Sequence, residues 1–328
     1  MIRIATRRSA LARAQAHQLG VLLSERSGRP FELVAMATTG DLHPTRAVGD
    51  FDVKGLFVDT VRQAVLSGDC DLAVHSYKDL PTAPAEGLAV AAVPERADPR
   101  DVLVTRDALT LAALAAEAQV GTSSERRRLQ LLRARPTLRV VAVRGNLDTR
   151  LRKVADGELD AVVVALAGLS RLYVPQSLGG AGPLPLGLHV APLEAAECLP
   201  APAQGALAVE TRSQDRAVRA ACRLIADDTT ERCVRAERAF LATFGGGCLA
   251  PVGALGTLAS PGGELELRGM MGDPAGGRVL HDSARTPSED PEAAGRSLAE
   301  AMLARGGREL LAGIDRARAE ADTGDRRS

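Results

Sequence analysis

Aromatic residues are almost missing from this 328-residue chain: it has no Trp, two Tyr and five Phe, 2% in all. So few rings exclude a base-stacking surface for single-stranded nucleic acid and leave the core to Leu, Val, Ala and Ile. Net charge is missing as well. Forty-one Lys and Arg balance 41 Asp and Glu, which argues against a general nucleic-acid binder. No run approaches the roughly 18 apolar residues of a membrane span. The opening Met1-Ile2-Arg3-Ile4-Ala5-Thr6-Arg7-Arg8 has neither an apolar stretch nor a cleavage site, so no signal peptide is expected. Cys-x-x-Cys is absent. Cys70, Cys198, Cys222, Cys233 and Cys248 are odd in number and widely spaced, which counts against a disulfide framework or structural zinc. The five His show no metal-ligand spacing. Neither Gly-x-x-x-x-Gly-Lys-Ser/Thr nor Gly-x-Gly-x-x-Gly occurs, which weakens a nucleotide reading. The default is a cytoplasmic protein without metal.

What is present is an alternation of short apolar runs and helical stretches, the pattern of a parallel α/β architecture. At about 150 residues per domain the length suggests two or three domains. Strands are expected at 3–6, 31–38, 71–75, 88–93, 102–105, 118–121, 138–143, 161–165 and 206–210. Helices are expected at 10–27, 57–67, 124–134, 146–155, 230–244 and 290–312. The chain crosses to a second α/β block near Asp98-Pro99-Arg100-Asp101 and returns near Pro200–Gln204. These crossings give domain 1 as 1–98 with 200–222, domain 2 as 99–199, domain 3 as 223–315 and a polar tail over 316–328.

The zero net charge hides an asymmetry. Between Gly121 and Lys153 stand ten basic and two acidic side chains. A solvated helix face accounts for Arg133, Arg135, Arg139, Arg152 and Lys153 as well as a site does. It does not account for Arg126 and Arg127. Thr122-Ser123-Ser124-Glu125 resembles a capping box from Thr122 to Glu125, and cations in a first helical turn oppose the helix dipole. Free amides beside two guanidinium forks make an anion site. Arg144-Gly145-Asn146 and Thr6-Arg7-Arg8-Ser9 follow strands in the same way. Ligands of open α/β sheets sit at the carboxyl ends of the strands, so a polyanion in a cleft between two α/β domains is expected, carboxylate and phosphate being equally allowed.

Two further places carry chemistry. In His75-Ser76-Tyr77-Lys78-Asp79-Leu80-Pro81, Lys78 and Asp79 follow a buried strand; Asp79 is either a turn residue or a carboxylate that stabilises a cation or handles protons. Cys248 follows Gly245-Gly246-Gly247, a loop free to bring a thiol to a ligand, whereas the other four cysteines read as small hydrophobes.

Taken in order, these segments resemble the hydroxymethylbilane synthase (porphobilinogen deaminase) family from about Ile2 to Ala312. Lys54-Gly55-Leu56-Phe57, Ala167-Gly168-Leu169-Ser170-Arg171-Leu172 and Pro202-Ala203-Gln204-Gly205-Ala206 extend the match. The resemblance implies two type-II periplasmic-binding-protein-like domains and a smaller α+β C-terminal domain carrying the cofactor cysteine. It implies head-to-tail condensation of four porphobilinogen molecules into hydroxymethylbilane with release of four ammonia, primed by one covalent dipyrromethane per chain, in tetrapyrrole biosynthesis. By motif, Cys248 is the attachment thiol and Asp79 the catalytic carboxylate. Lys78, Ser124, Arg126, Arg127, Arg144 and Gly145 join them at the cofactor. Arg7, Ser9, Phe57, Arg144, Arg150, Arg171 and Gln204 bind substrate. A monomer without nucleic-acid or membrane partners is implied. Two departures stand out: Asp50 and Asp52 lie in a loop where many members have glycines and an extra Lys, and Ala203 stands where the family often has Gly. The rival readings are a non-catalytic, anion-binding protein of the periplasmic-binding type, which needs neither Asp79 nor Cys248, and a family relative that has lost activity.

Overall fold

The computed structural model describes residues 1–36, 60–173, 184–245, 251–260, 262–273 and 277–312. The 49–53 loop, Lys54, Phe57, Cys248 and the 316–328 tail lie outside the described residues.

The chain forms two compact units. The first holds a five-stranded sheet of β1 (Ile2–Arg7), β2 (Phe31–Met36), β3 (Leu72–Ser76), β4 (Leu88–Ala92) and β10 (Leu207–Arg212), in the order β2-β1-β3-β10-β4. β1 runs parallel to β2 and β3, and β10 runs antiparallel to β3 and β4. Helix Ala10–Ser27 is capped by Ser9 and ends at the left-handed Gly28, the stop expected of Gly28-Arg29-Pro30. Its Leu19 and Leu23 pack with Ile2, Ile4, Leu72 and Val209. Residues 60–66 are helical, and Val61 and Val65 pack under Ala5 and Ala73.

The second unit holds β5 (Asp101–Thr105), β6 (Gln119–Gly121), β7 (Arg139–Val141), β8 (Ala161–Ala165) and β9 (His189–Leu193), in the order β7-β6-β8-β5-β9. β6 runs parallel to β7 and β8, and β5 runs antiparallel to β8 and β9. Strand for strand, this repeats the arrangement of the first sheet. β5 is buried along its whole length, which explains the continuous apolar run of Val102-Leu103-Val104. The same unit contains an antiparallel meander of β11 (Val252–Leu258), β12 (Leu265–Gly272) and β13 (Val279–Thr286). It packs with helices Asp228–Thr243 and Pro291–Met302 around Phe240, Met271 and Leu298. The α/β class with a smaller α+β part is therefore as expected, and most elements lie within two residues of their expected bounds. The last helix, expected to about 312, runs Pro291–Met302, passes through a π turn over Leu303–Gly307 and is helical again over 308–312.

Candidate active site

In the first unit the site grows from the parallel neighbours β1 and β3, whose carboxyl ends lie at one sheet edge. After β3 the chain makes a single 3-10 turn, Tyr77–Asp79. Tyr77 is buried and its N–H donates to the Ala206 carbonyl (3.0 Å); Leu80, also buried, closes the turn by donating to the Tyr77 carbonyl (3.3 Å). With both neighbours held inward, Lys78 is half-buried and Asp79 is exposed. Lys78 Nζ donates to Gln204 Oε1 (3.2 Å). Arg7 ends β1 and Ser9 follows it at the same edge. Ser9 Oγ accepts the Ala12 N–H (3.3 Å) as the helix cap. Gln15, which sequence reasoning missed, ties that helix to β3: its Nε2 donates to Ser76 Oγ (2.9 Å). Its signal was a polar residue on the inward face of helix 10–27.

Gln204 differs from its expected place in the substrate lining. It is 1% exposed, and its amide works inside the protein: Oε1 accepts from Lys78, Nε2 donates to the Pro99 carbonyl (2.8 Å), and its own carbonyl accepts from Arg96 Nε (2.7 Å). Gly205 beside it has φ +89°, and a Cβ there would stand 2.3 Å from the Ala97 carbonyl oxygen, so only glycine fits. The Gly205 carbonyl accepts from Arg171 Nη2 (2.8 Å). Arg171 closes helix Leu166–Leu172. Burial lowers its pKa to about 10, with no described acid offsetting the loss of water, and its buried Nε has no hydrogen-bond partner.

In the second unit, β6 and β7 are parallel neighbours, so the segments after them share one edge. The expected capping box from Thr122 to Glu125 does not form. Ser124 is the cap, with Oγ accepting the Arg127 N–H (3.5 Å), while Thr122 Oγ1 accepts from Ser124 N (3.2 Å). Glu125 is the first helical residue, too early to reach back, and pairs with Arg128 (2.7 Å). The forks of Arg126 and Arg127, expected to be open to a ligand, close on Asp101 instead. Arg126 Nη1 lies 2.8 Å from Oδ2 and Arg127 Nη2 lies 2.7 Å from Oδ1. Asp101 is fully buried. Burial works against the charge of Arg126, but Asp101 outweighs it and raises the pKa. Arg126 also donates to the Leu199 carbonyl (2.6 Å) and Arg127 to that of Val163 (3.1 Å).

After β7, Arg144 is exposed. Gly145 has φ +105°, and a Cβ there would crowd Thr149 at 2.8 Å. Asn146 caps helix Leu147–Ala155 by accepting the Thr149 N–H (2.9 Å). Arg150 Nε donates back to the Gly145 carbonyl (3.0 Å); burial, then the charge of Arg127, lowers its pKa. The first unit thus gathers Arg7, Ser9, Lys78, Asp79, Arg171 and Gln204, and the second Ser124, Arg126, Arg127, Arg144, Gly145 and Arg150.

An α/β protein whose strand ends collect guanidinium groups, together with one exposed carboxylate, is equipped to hold a small polyacid and act on it. Known proteins give this class its particular form. The family model "Porphobilinogen deaminase, dipyromethane cofactor binding domain" matches residues 2–220, and "Porphobilinogen deaminase, C-terminal domain" matches 231–304. The chain is 46% identical over 319 residues to a porphobilinogen deaminase of Nocardia farcinica, covering 94% of this chain and 88% of that protein. It is 44% identical over 311 residues to one from Moorella thermoacetica, covering 94% and 95%. The chain belongs to the porphobilinogen deaminase family, whose members are transferases with a dipyrromethane cofactor. The described residues fit that carboxylate-bearing group: Arg171 and Arg150 are cations drawn out of water without a described acid to offset them.

Proposed function

We propose that this chain is a hydroxymethylbilane synthase, joining four porphobilinogen molecules head to tail with release of four ammonia. The observation that carries the reading is Asp79, an exposed carboxylate next in sequence to Lys78 in the turn after a buried strand, in the unit that also holds Arg171, which no described acid offsets. Its attachment thiol is Cys248. The dipyrromethane supplies the pyrrole carbon to which the first substrate ring is joined. Asp79 accepts from the pyrrole N–H of the substrate. When the amino group leaves the aminomethyl arm as ammonia, its methylene carbon staying on the ring, the carboxylate offsets the positive charge that spreads over that ring. That charge exists in the transition state and not in the bound substrate, so the interaction raises the rate more than the affinity. Arg7, Arg144, Arg150 and Arg171 hold acetate and propionate carboxylates in forked, charge-assisted bonds. Ser9 and Ser124 each present a helix N-terminus to such an anion, one in each unit. Arg126 and Arg127, anchored on Asp101, shape the second unit's strand edge. Gln204 acts through Lys78, which it orients. Phe57 adds an apolar face to the growing pyrrole chain. We assign the domains as 1–98 with 200–222, 99–199 and 223–315, and read the protein as a cytoplasmic monomer.

Asp79→Asn keeps size and hydrogen bonding but removes the charge. Single-turnover kinetics, with cofactor loading checked by mass, should show a rate lowered by roughly 10²–10³-fold or more and substrate affinity changed far less. A near wild-type rate in a loaded variant would make Asp79 a turn residue.

A further inference from the structure

The first unit has a second cationic feature, which shares Arg171 with the proposed active site and adds side chains that site does not use. A cavity of about 660 Å³ lies against the outer face of helix Ala10–Ser27, lined by Arg13, His17, Gln18, Leu33, Ser170 and Arg171 together with two alanines. That volume lies inside the range of small-molecule sites. None of the lining residues is acidic. Arg13, His17 and Gln18 are exposed one to two turns into the helix, whose first turn contains no acid to balance its positive end. Arg13 forms no ion pair with a described carboxylate. His17 is held by an edge-on contact with Phe31 (5.7 Å between ring centroids), and Leu33 gives an apolar floor. Arg171 reaches the cavity with an Nε that is buried and without a partner.

Two guanidinium groups, a ring nitrogen and a hydroxyl around an apolar floor suit a flat ring that bears more than one carboxylate. A carboxylate takes two parallel bonds from each fork, and the ring covers Leu33 and the alanines. We propose that this cavity is a second binding site for acetate- and propionate-substituted pyrroles, separate from the place where Asp79 acts and closed on one side by Arg171. The proposal rests on the hydroxymethylbilane synthase reading for the identity of its ligand. Its physical content is that Arg13 and His17, which touch no part of the reacting ring at Asp79, hold the acid arms of a further pyrrole unit.

The test uses the full-length holoenzyme and a pyrrole carrying one acetate and one propionate but no aminomethyl group, which cannot lose ammonia. Titration calorimetry of the wild type should resolve two classes of site. In Arg13→Glu one class should weaken at least tenfold while the other is unchanged, and turnover at saturating porphobilinogen should stay at the wild-type rate. His17→Gln should weaken the same class to a smaller degree, and it keeps the test sound should the charge reversal disturb the helix. A single class in the wild type, or an Arg13→Glu isotherm equal to that of the wild type, overturns the second site while leaving the enzyme reading intact. A holoenzyme that carries no pyrrole and consumes no porphobilinogen overturns both.

Discussion

The two five-stranded sheets share one strand order and one set of strand directions, and each buries a carboxylate on its antiparallel fourth strand. In the first sheet it is Glu210 on β10; in the second it is Asp101 on β5. Glu210 receives a forked pair from Arg62 (2.9 and 2.7 Å) and lies 3.1 Å from His75 Nε2. Asp101 receives two arginines and a thiol, with Cys198 Sγ donating to Oδ2 at 3.5 Å. Burial, then the Asp101 charge, pushes that thiol up to about 12, so Cys198 stays protonated. The same architecture therefore balances one acid against one guanidinium in one sheet and against two in the other. Arg171, by contrast, is half-buried and has no described acid to offset it. Among the described arginines, Arg62, Arg126 and Arg127 are matched by an acid of the fold, whereas no described acid offsets Arg171.

Three variants break or sharpen this comparison, their stability read by denaturant unfolding and, for the third, porphobilinogen binding read by calorimetry. Asp101→Asn strips the carboxylate from under Arg126 and Arg127. Leaving buried charges unpaired should cost about 3–5 kcal/mol, the largest effect of the three. Next is Glu210. Burial disfavours its charge, but hydrogen bonds from His75 and Arg62 prevail and lower its pKa to about 2. A folded pKa below the unfolded one adds stability that is present above the ordinary carboxylate range and fades as pH falls from about 4.5 to 2. The contribution is on the order of 3 kcal/mol, and Glu210→Gln should remove that acid-side slope. Smallest is Arg171→Met. Removing a half-buried cation that no described acid offsets should leave stability within about 1 kcal/mol of wild type or raise it, while a lost carboxylate contact weakens porphobilinogen binding by about 2–5 kcal/mol. A stability loss in Arg171→Met comparable to that of Asp101→Asn would erase the distinction.

Much of the site was legible because it is local. Ser9 and Asn146 cap helices directly after strands, and Arg7, Arg144 and Asp79 stand within a few residues of strand ends, where spacing along the chain is also spacing in the fold. The matched arginines were not legible. Arg126 and Arg127 meet Asp101, about 25 residues away, only because β5 enters its sheet antiparallel between β8 and β9. Arg62 meets Glu210 across 148 positions. A run such as Arg126-Arg127-Arg128 looks the same whether its charges face a ligand or a buried acid. Gln204 was expected at the ligand for a related reason: its neighbours in sequence mark the site, but its amide points at Lys78 and Pro99. The cap of helix Glu125–Ala134, expected at Thr122, is Ser124: both are competent caps, and the extended backbone of Ser124 decides between them.

The central claim is that the chain's unmatched cations serve a pyrrole cofactor bound through Cys248. The most direct measurement is the intact mass of the purified protein, for wild type and Cys248→Ser. The account predicts a wild-type mass exceeding that of the bare chain by two linked pyrrole units, with no excess in Cys248→Ser. A bare wild-type mass, or the same pyrrole excess in both proteins, would contradict it.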